Sequence, residues 1–143
     1  MVEVPSVVHE AMRRAGVVWL RAADTSGSGP APAWVLWQDG AAYLVTGPGE
    51  QPAPGLVDTD HADSAQIASL AEVTVASTRT ASRIVVWQAA VSRVEPGGEQ
   101  WRAVVPALVS RRLNLADQDA AQARWADRCV VLRLEPTGEF REA

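Results

Sequence analysis

Val17-Val18-Trp19-Leu20-Arg21 is a strand-like run, and further on Val73 and Val75 alternate with Thr74 and Ala76. A period of two is the mark of a strand with one face on a core. Ile84-Val85-Val86-Trp87 is instead continuously apolar, which suits a strand covered on both faces. Between the last two runs stands a polar turn, Ser77-Thr78-Arg79-Thr80-Ala81-Ser82. The second run closes on Glu95-Pro96-Gly97-Gly98, which cannot continue a strand. The pattern therefore predicts a long hairpin over Val73 to Pro96, with the rest of the chain arranged around it.

Ser6 to Ala15 has helical spacing, with Val8 and Met12 four apart, Ser6 as a cap and Gly16 as a stop. After the first strand comes a flexible turn, Asp24 to Pro30. Ala33 to Trp37 forms the second strand, Gln38-Asp39-Gly40 a tight turn, and Ala41 to Thr46 the third strand. Successive antiparallel strands of this kind point to a meander or barrel rather than to strand–helix–strand units. Gly47 to Ala62 is a long irregular loop, since three Pro and three Gly lie between Gly47 and Gly55. Loops of that length often carry function. Ser64 to Leu70 reads as one or two helical turns. Glu99 to Leu113 places Trp101, Val104, Val105, Leu108 and Val109 on one helical face, with a kink or a new start at Pro106. Asp117 caps a second helix running to Arg128, Cys129 to Leu134 is the last strand, and Glu135-Pro136-Thr137-Gly138 ends the ordered part. A single domain over 1–143 follows, with a loop at 48–62, a helical segment at 99–128 and a flexible tail at 137–143.

Composition narrows the chemistry. A hydrophobic fraction of 48% is enough for a core without staples, which argues against wholesale disorder. A net charge of −4 argues against nucleic acid and anionic membrane as partners. All 13 basic residues are Arg, so lysine Schiff-base chemistry is excluded. The single Cys129 sits in a strand-like run and reads as a buried, inert thiol. The absence of a signal-like start or a long apolar run leads us to expect a cytoplasmic protein.

The candidate site residues are few. Asp58-x-Asp60-His61-x-Asp63 fails as a calcium loop, because an EF-hand begun at Asp58 needs Gly and Glu where Asp63 and Ser69 stand. It reads as a solvated loop, and no metal is expected. Gly47-Pro48-Gly49 lacks the Gly-Lys-Ser/Thr ending of a phosphate loop. His9 and His61 make no hydrolytic set. Arg79 and Arg83, interleaved with hydroxyl residues, suit either a phosphate clamp or a solvated hairpin tip. Trp19, Trp34, Trp37 and Trp87 fall on strands, where most serve as core or interface anchors.

The order of elements resembles the FMN-binding split barrel of the pyridoxamine 5′-phosphate oxidase-like superfamily, over roughly Val7 to Pro136. In that family the third strand often ends at Thr, and a segment like Ser-x-Lys-x-x-Asn-Leu follows. Here Tyr43-Leu-Val-Thr46 leads to Ser64-Ala-Gln-Ile-Ala-Ser-Leu70, and Arg83-Ile-Val-Val-Trp87 looks like the family's next strand. The GPGEQPAPGL segment and the Trp101 to Trp125 region look like a small subgroup within it. Gln66 stands where the family commonly has a phosphate-binding Lys.

The resemblance implies a mainly β fold: a six-stranded antiparallel split β-barrel forming a homodimer with the cofactor between subunits. It implies binding of FMN or a deazaflavin and redox chemistry on a small molecule. Thr46, Ser64 and Gln66 would face the phosphate, Arg79 and Arg83 would supply charge, and Trp37 would wall the ring. The missing Lys favours an alternative from another class, a cofactor-free barrel used for binding or assembly. A haem-handling barrel has little support from His9 or His61.

Overall fold

The computed structural model describes residues 3–23, 29–47, 49–53, 56, 67–76, 84–111 and 118–142, the side chains of 118 and 119 excepted. Helix α1 (Ser6–Arg14) opens the chain. Pro5, not Ser6, is its cap, and no side chain caps it; the Pro5 carbonyl takes the amides of Val8 and His9 at 3.0 and 3.2 Å. Val8, Ala11 and Met12 bury one stripe of the helix, as the spacing requires.

Seven strands follow: β1 (Val17–Ala22), β2 (Ala31–Trp34), β3 (Leu36–Gln38), β4 (Ala41–Thr46), β5 (Leu70–Ala76), β6 (Ile84–Arg93) and β7 (Val130–Glu142). Helices α2 (Glu99–Arg111) and α3 (Gln118–Arg128) lie between β6 and β7. All the strands belong to one sheet, in the order β2-β1-β5-β6-β7-β4-β3, and every ladder is antiparallel. This is a curled, mainly β half-barrel with flanking helices, as expected. The expected central hairpin is present, with β5 and β6 paired from Ala76↔Ile84 to Leu70↔Ala90.

The sheet has seven strands rather than six because the segment expected as one strand over Ala33 to Trp37 divides at Val35. Its first part pairs with β1 and its second with β4, and these lie at opposite edges of the strand order. One extended segment thus turns a corner and supplies both edges of the curled sheet, with buried Val35 as the pivot.

Two further expectations are corrected. Ile67 to Ser69 are not helical, and Leu70 already belongs to β5; residues 64–66 lie outside the described residues. The Ala68 amide bonds to Leu56, the Ser69 carbonyl receives Val91, and the Leu70 carbonyl receives Ala23. These bonds to distant segments replace local helical ones. The chain also does not end its order at Gly138: β7 continues to Glu142, pairing Trp87 with Phe140 and Val85 with Glu142. A register shift between Trp87 and Ala89 makes room for Pro136-Thr137-Gly138. A bulge tolerates a residue with no N–H, and Gly138 accepts its φ of +110° without a Cβ penalty.

The sheet separates two cores. The inner one gathers α1 with Leu20, Val73, Trp87 and Leu132, among others. The outer one packs Trp101, Val105, Leu108 and Trp125 of α2 and α3 on Tyr43, Val45 and Val131. All six residues of β4 are buried because alternate side chains enter different cores. Pro106 lies within α2, which continues through it.

Candidate functional site

The corner at Val35 leaves β2 as an edge strand, bonded to β1 on one side. An edge strand presents unpaired main-chain N–H and C=O groups. At Trp34 these groups are taken by one side chain. The Trp34 amide donates to Gln51 Oε1 at 2.8 Å, and Gln51 Nε2 donates to the Trp34 carbonyl at 2.9 Å. The Gln51 carboxamide thereby acts as a short piece of neighbouring strand.

Gln51 is held there by the turn that leaves β4. The Thr46 hydroxyl, fully buried, donates to the Gln51 carbonyl at 2.7 Å, and the Glu50 amide donates to Gly47 at 2.9 Å. Glu50 has a side chain with no exposed surface and receives Arg124 of α3 at 2.7 Å. Gly47 has a φ of +135°, and a Cβ there would stand 3.0 Å from Cys129 Cα. Only glycine fits that close approach without strain. Burial pushes the Cys129 thiol up, with Glu50 adding to the effect and Arg124 opposing it. A neutral, enclosed thiol agrees with the inert role expected for it.

The predicted site residues fall into two groups. Trp37 and Thr46 are described; Ser64, Gln66, Arg79 and Arg83 lie outside the described residues, as does the Asp58 to Asp63 cluster. Trp37 is partly buried against the inner core. Its indole N–H donates to His9 Nδ1 at 3.3 Å, and its ring meets His9 and Trp87 edge-on at 5.5 and 5.8 Å. It ties α1 to β6. The hydroxyl of Thr46 is committed to the turn it starts.

The register also separates Thr46 from the paired ends of β5 and β6 at Ala76 and Ile84. Arg93 faces Leu132, and Leu132 faces Leu44, close to Thr46. From Arg93 the same strand runs back to Ile84, roughly 30 Å at about 3.3 Å per residue. Ala76 and Ile84 therefore lie at the opposite end of the sheet from Thr46.

A second feature lies on the outer face of β1, β5, β6 and β7. A pocket of about 290 Å³ is lined by Arg21, Glu72, Gln88, Glu139 and Arg141, with Phe140 beside them. Glu72 receives Arg21 at 3.3 Å and Arg141 at 3.2 Å. Neither Trp37 nor Thr46 lines it. Toward the other end of this face Val17, Trp19 and Ile84 are 54%, 47% and 37% exposed. Among the described residues no group of three or more His, Cys, Asp or Glu is placed to hold a metal ion, and no helix is long and apolar enough to cross a membrane.

Sequence reasoning missed Gln51, Glu50 and Arg124. Gln51 belongs to no periodic run, and Arg124 lies 74 residues from its partner Glu50, so neither contact leaves a local trace.

No family model and no curated protein matches the chain. Solved structures do. The haem storage protein HutZ of Vibrio cholerae superimposes with a TM-score of 0.65 at 13% identity, covering 94% of this chain and 90% of that one. An F420 reductase gives 0.62 at 16% identity, covering 96% and 98%. A pyridoxamine 5′-phosphate oxidase-like protein from Listeria innocua gives 0.57 at 13%, covering 94% of each. The chain shares the split-barrel fold of these proteins, as the sequence resemblance implied.

Proposed function

We propose that the protein binds a flavin or deazaflavin nucleotide as a homodimer and supports redox chemistry on a small molecule. The observation that carries this reading is the end-to-end likeness to an F420 reductase, over 96% of this chain and 98% of that one. A bound flavin or deazaflavin supplies the hydride or electron transfer, and the protein supplies shape and electrostatics.

For the phosphate of such a group the described residues offer little. The chain has no Lys, and Arg124, the guanidinium beside the Thr46 turn, is already paired with Glu50. In this reading Ser64 and Gln66 face the phosphate by family position, and Thr46 contributes by holding the turn. Trp37 walls the ring from its place between His9 and Trp87. Arg79 and Arg83 supply the charge. The exposed Val17, Trp19 and Ile84 supply apolar surface for the contact between subunits.

Titration of the purified protein with FMN and with the deazaflavin cofactor, followed by fluorescence, tests the reading. Saturable binding near micromolar, lost in an Arg79→Ala, Arg83→Ala double variant, is expected. A folded dimer that takes up neither cofactor removes it. The second reading, a cofactor-free binding or assembly module, is favoured by one observation: the hydroxyl of Thr46 and the main chain of Trp34 are both satisfied from within the chain.

A further inference from the structure

The main chain of Trp34 offers one donor and one acceptor side by side on the side of β2 away from β1, and a carboxamide fills them in only one orientation. Any planar group with a C=O next to an N–H presents the same pattern. We propose that this edge recognises ligands carrying a lactam or imide, and that Gln51 occupies it as an internal stand-in which such a ligand displaces. The pyrimidine ring of a flavin or deazaflavin has this edge, so the inference rests on the proposed function and specifies how the ring is read.

Three features support exchange rather than permanent closure. The backbone of residue 51 is held independently of its side chain, by Thr46 and by the Gly47–Glu50 turn. The side chain can therefore swing away about its own torsions while the turn stays in place. The exchange trades two hydrogen bonds for two of the same kind, so the edge is never left unsatisfied in the end state. Finally, Trp34 sits at the corner, one residue from Val35, where the sheet passes from β2 to β3 and, among the described residues, no strand continues along that edge. Simple edge capping would also place a polar side chain there. The two differ in what happens when the amide is removed.

Riboflavin and N3-methylriboflavin are the probes, because only the first carries the ring N–H. Wild type and Gln51→Ala are titrated with both by fluorescence. Removal of the internal competitor should strengthen riboflavin binding about tenfold or more, the worth of roughly one net hydrogen bond, and leave the methylated probe unchanged. Equal gains for both probes, or no gain in a variant with native circular dichroism, overturn the proposal. If Gln51→Ala does not fold, the wild type decides by NMR. Riboflavin should shift the Trp34 amide and the Gln51 side-chain amide together, and binding that leaves both unmoved overturns it. The outcomes also separate this idea from the broader one. FMN binding unaffected by Gln51→Ala removes the edge but keeps the flavin reading. A gain in the variant over a silent wild type supports the edge and counts against the wild type as a flavoprotein.

Discussion

The paired strands β4 and β7 and the three strands β1, β5 and β6 belong to one sheet but meet different surroundings. The first part of β7 and all of β4 lie between two cores, with α1 and the barrel interior on one side and α2 and α3 on the other. β1 has the same extended backbone, yet Val17, Trp19 and Arg21 face outward while Val18, Leu20 and Ala22 face in. Nothing among the described residues covers that outer face. Identical secondary structure thus carries two tasks. The doubly covered half holds the fold, and the half-covered part offers a surface on which apolar residues and an Arg–Glu–Arg cluster lie together.

Substitutions can break this contrast. The largest effect is expected in the covered half, where Trp125→Ala removes a fully buried indole and costs about 3–5 kcal/mol, read as a fall in denaturation midpoint. Gly47→Ala comes next. It forces a Cβ against Cys129 and an L-residue to a φ of +135°, for about 2–3 kcal/mol by the same measurement. Glu50→Gln removes the carboxylate opposite Arg124. Because Arg124 is 39% exposed and keeps access to water, a loss of about 1–2 kcal/mol is expected rather than the full penalty of a buried pair. Trp19→Ser on the open face should change monomer stability by less than about 0.5 kcal/mol while weakening self-association in sedimentation velocity. A Trp19→Ser loss as large as that of Trp125→Ala, measured at concentrations where the chain is monomeric, would abolish the distinction between the halves.

Cys129 sharpens the same contrast through pH. Its folded-state pKa is raised, so its contribution is complete at pH values below the ordinary thiol range. It is lost as pH rises through that range and up to the raised value. Stability should therefore decline at alkaline pH, and Cys129→Ala should flatten that part of the profile in urea titrations.

Much of the fold was legible in the sequence, for local reasons. The alternation at Val73 to Ala76 shows which face of β5 is inside, whereas Val17 to Ala22 is apolar on both faces and only the structure shows that Val17 and Trp19 point outward. The unbroken run Ile84 to Trp87, expected to be covered on both faces, is buried from Val85 to Trp87 but leaves Ile84 37% exposed. What escaped depends on closure. No residue type announces that the chain turns at Val35, because the bend exists only once both halves have partners. Pro136-Thr137-Gly138 has the composition of a stop, yet the bulge opposite Gln88 absorbs it, with the Thr137 hydroxyl donating to Gln88 at 2.8 Å. The site was less legible still. The contacts that hold Trp37 come from His9, 28 residues away, and from Trp87, and no local pattern joins the three. Gln51 meets Trp34 across 17 residues with no pattern between them.

The corner at Val35 also bears on how quickly the barrel can assemble. Leu20 must find Val73, and Ala42 must find Leu134, before either ladder exists. Each of these searches closes a long loop at an entropic penalty and slows folding. The two sheet edges, by contrast, are separated by a single residue, so bringing them together requires almost no chain search. The distant ladders should therefore set the rate, and the seam should zip afterwards. A variant that loosens Val35 would then speed unfolding while leaving the folding rate nearly unchanged.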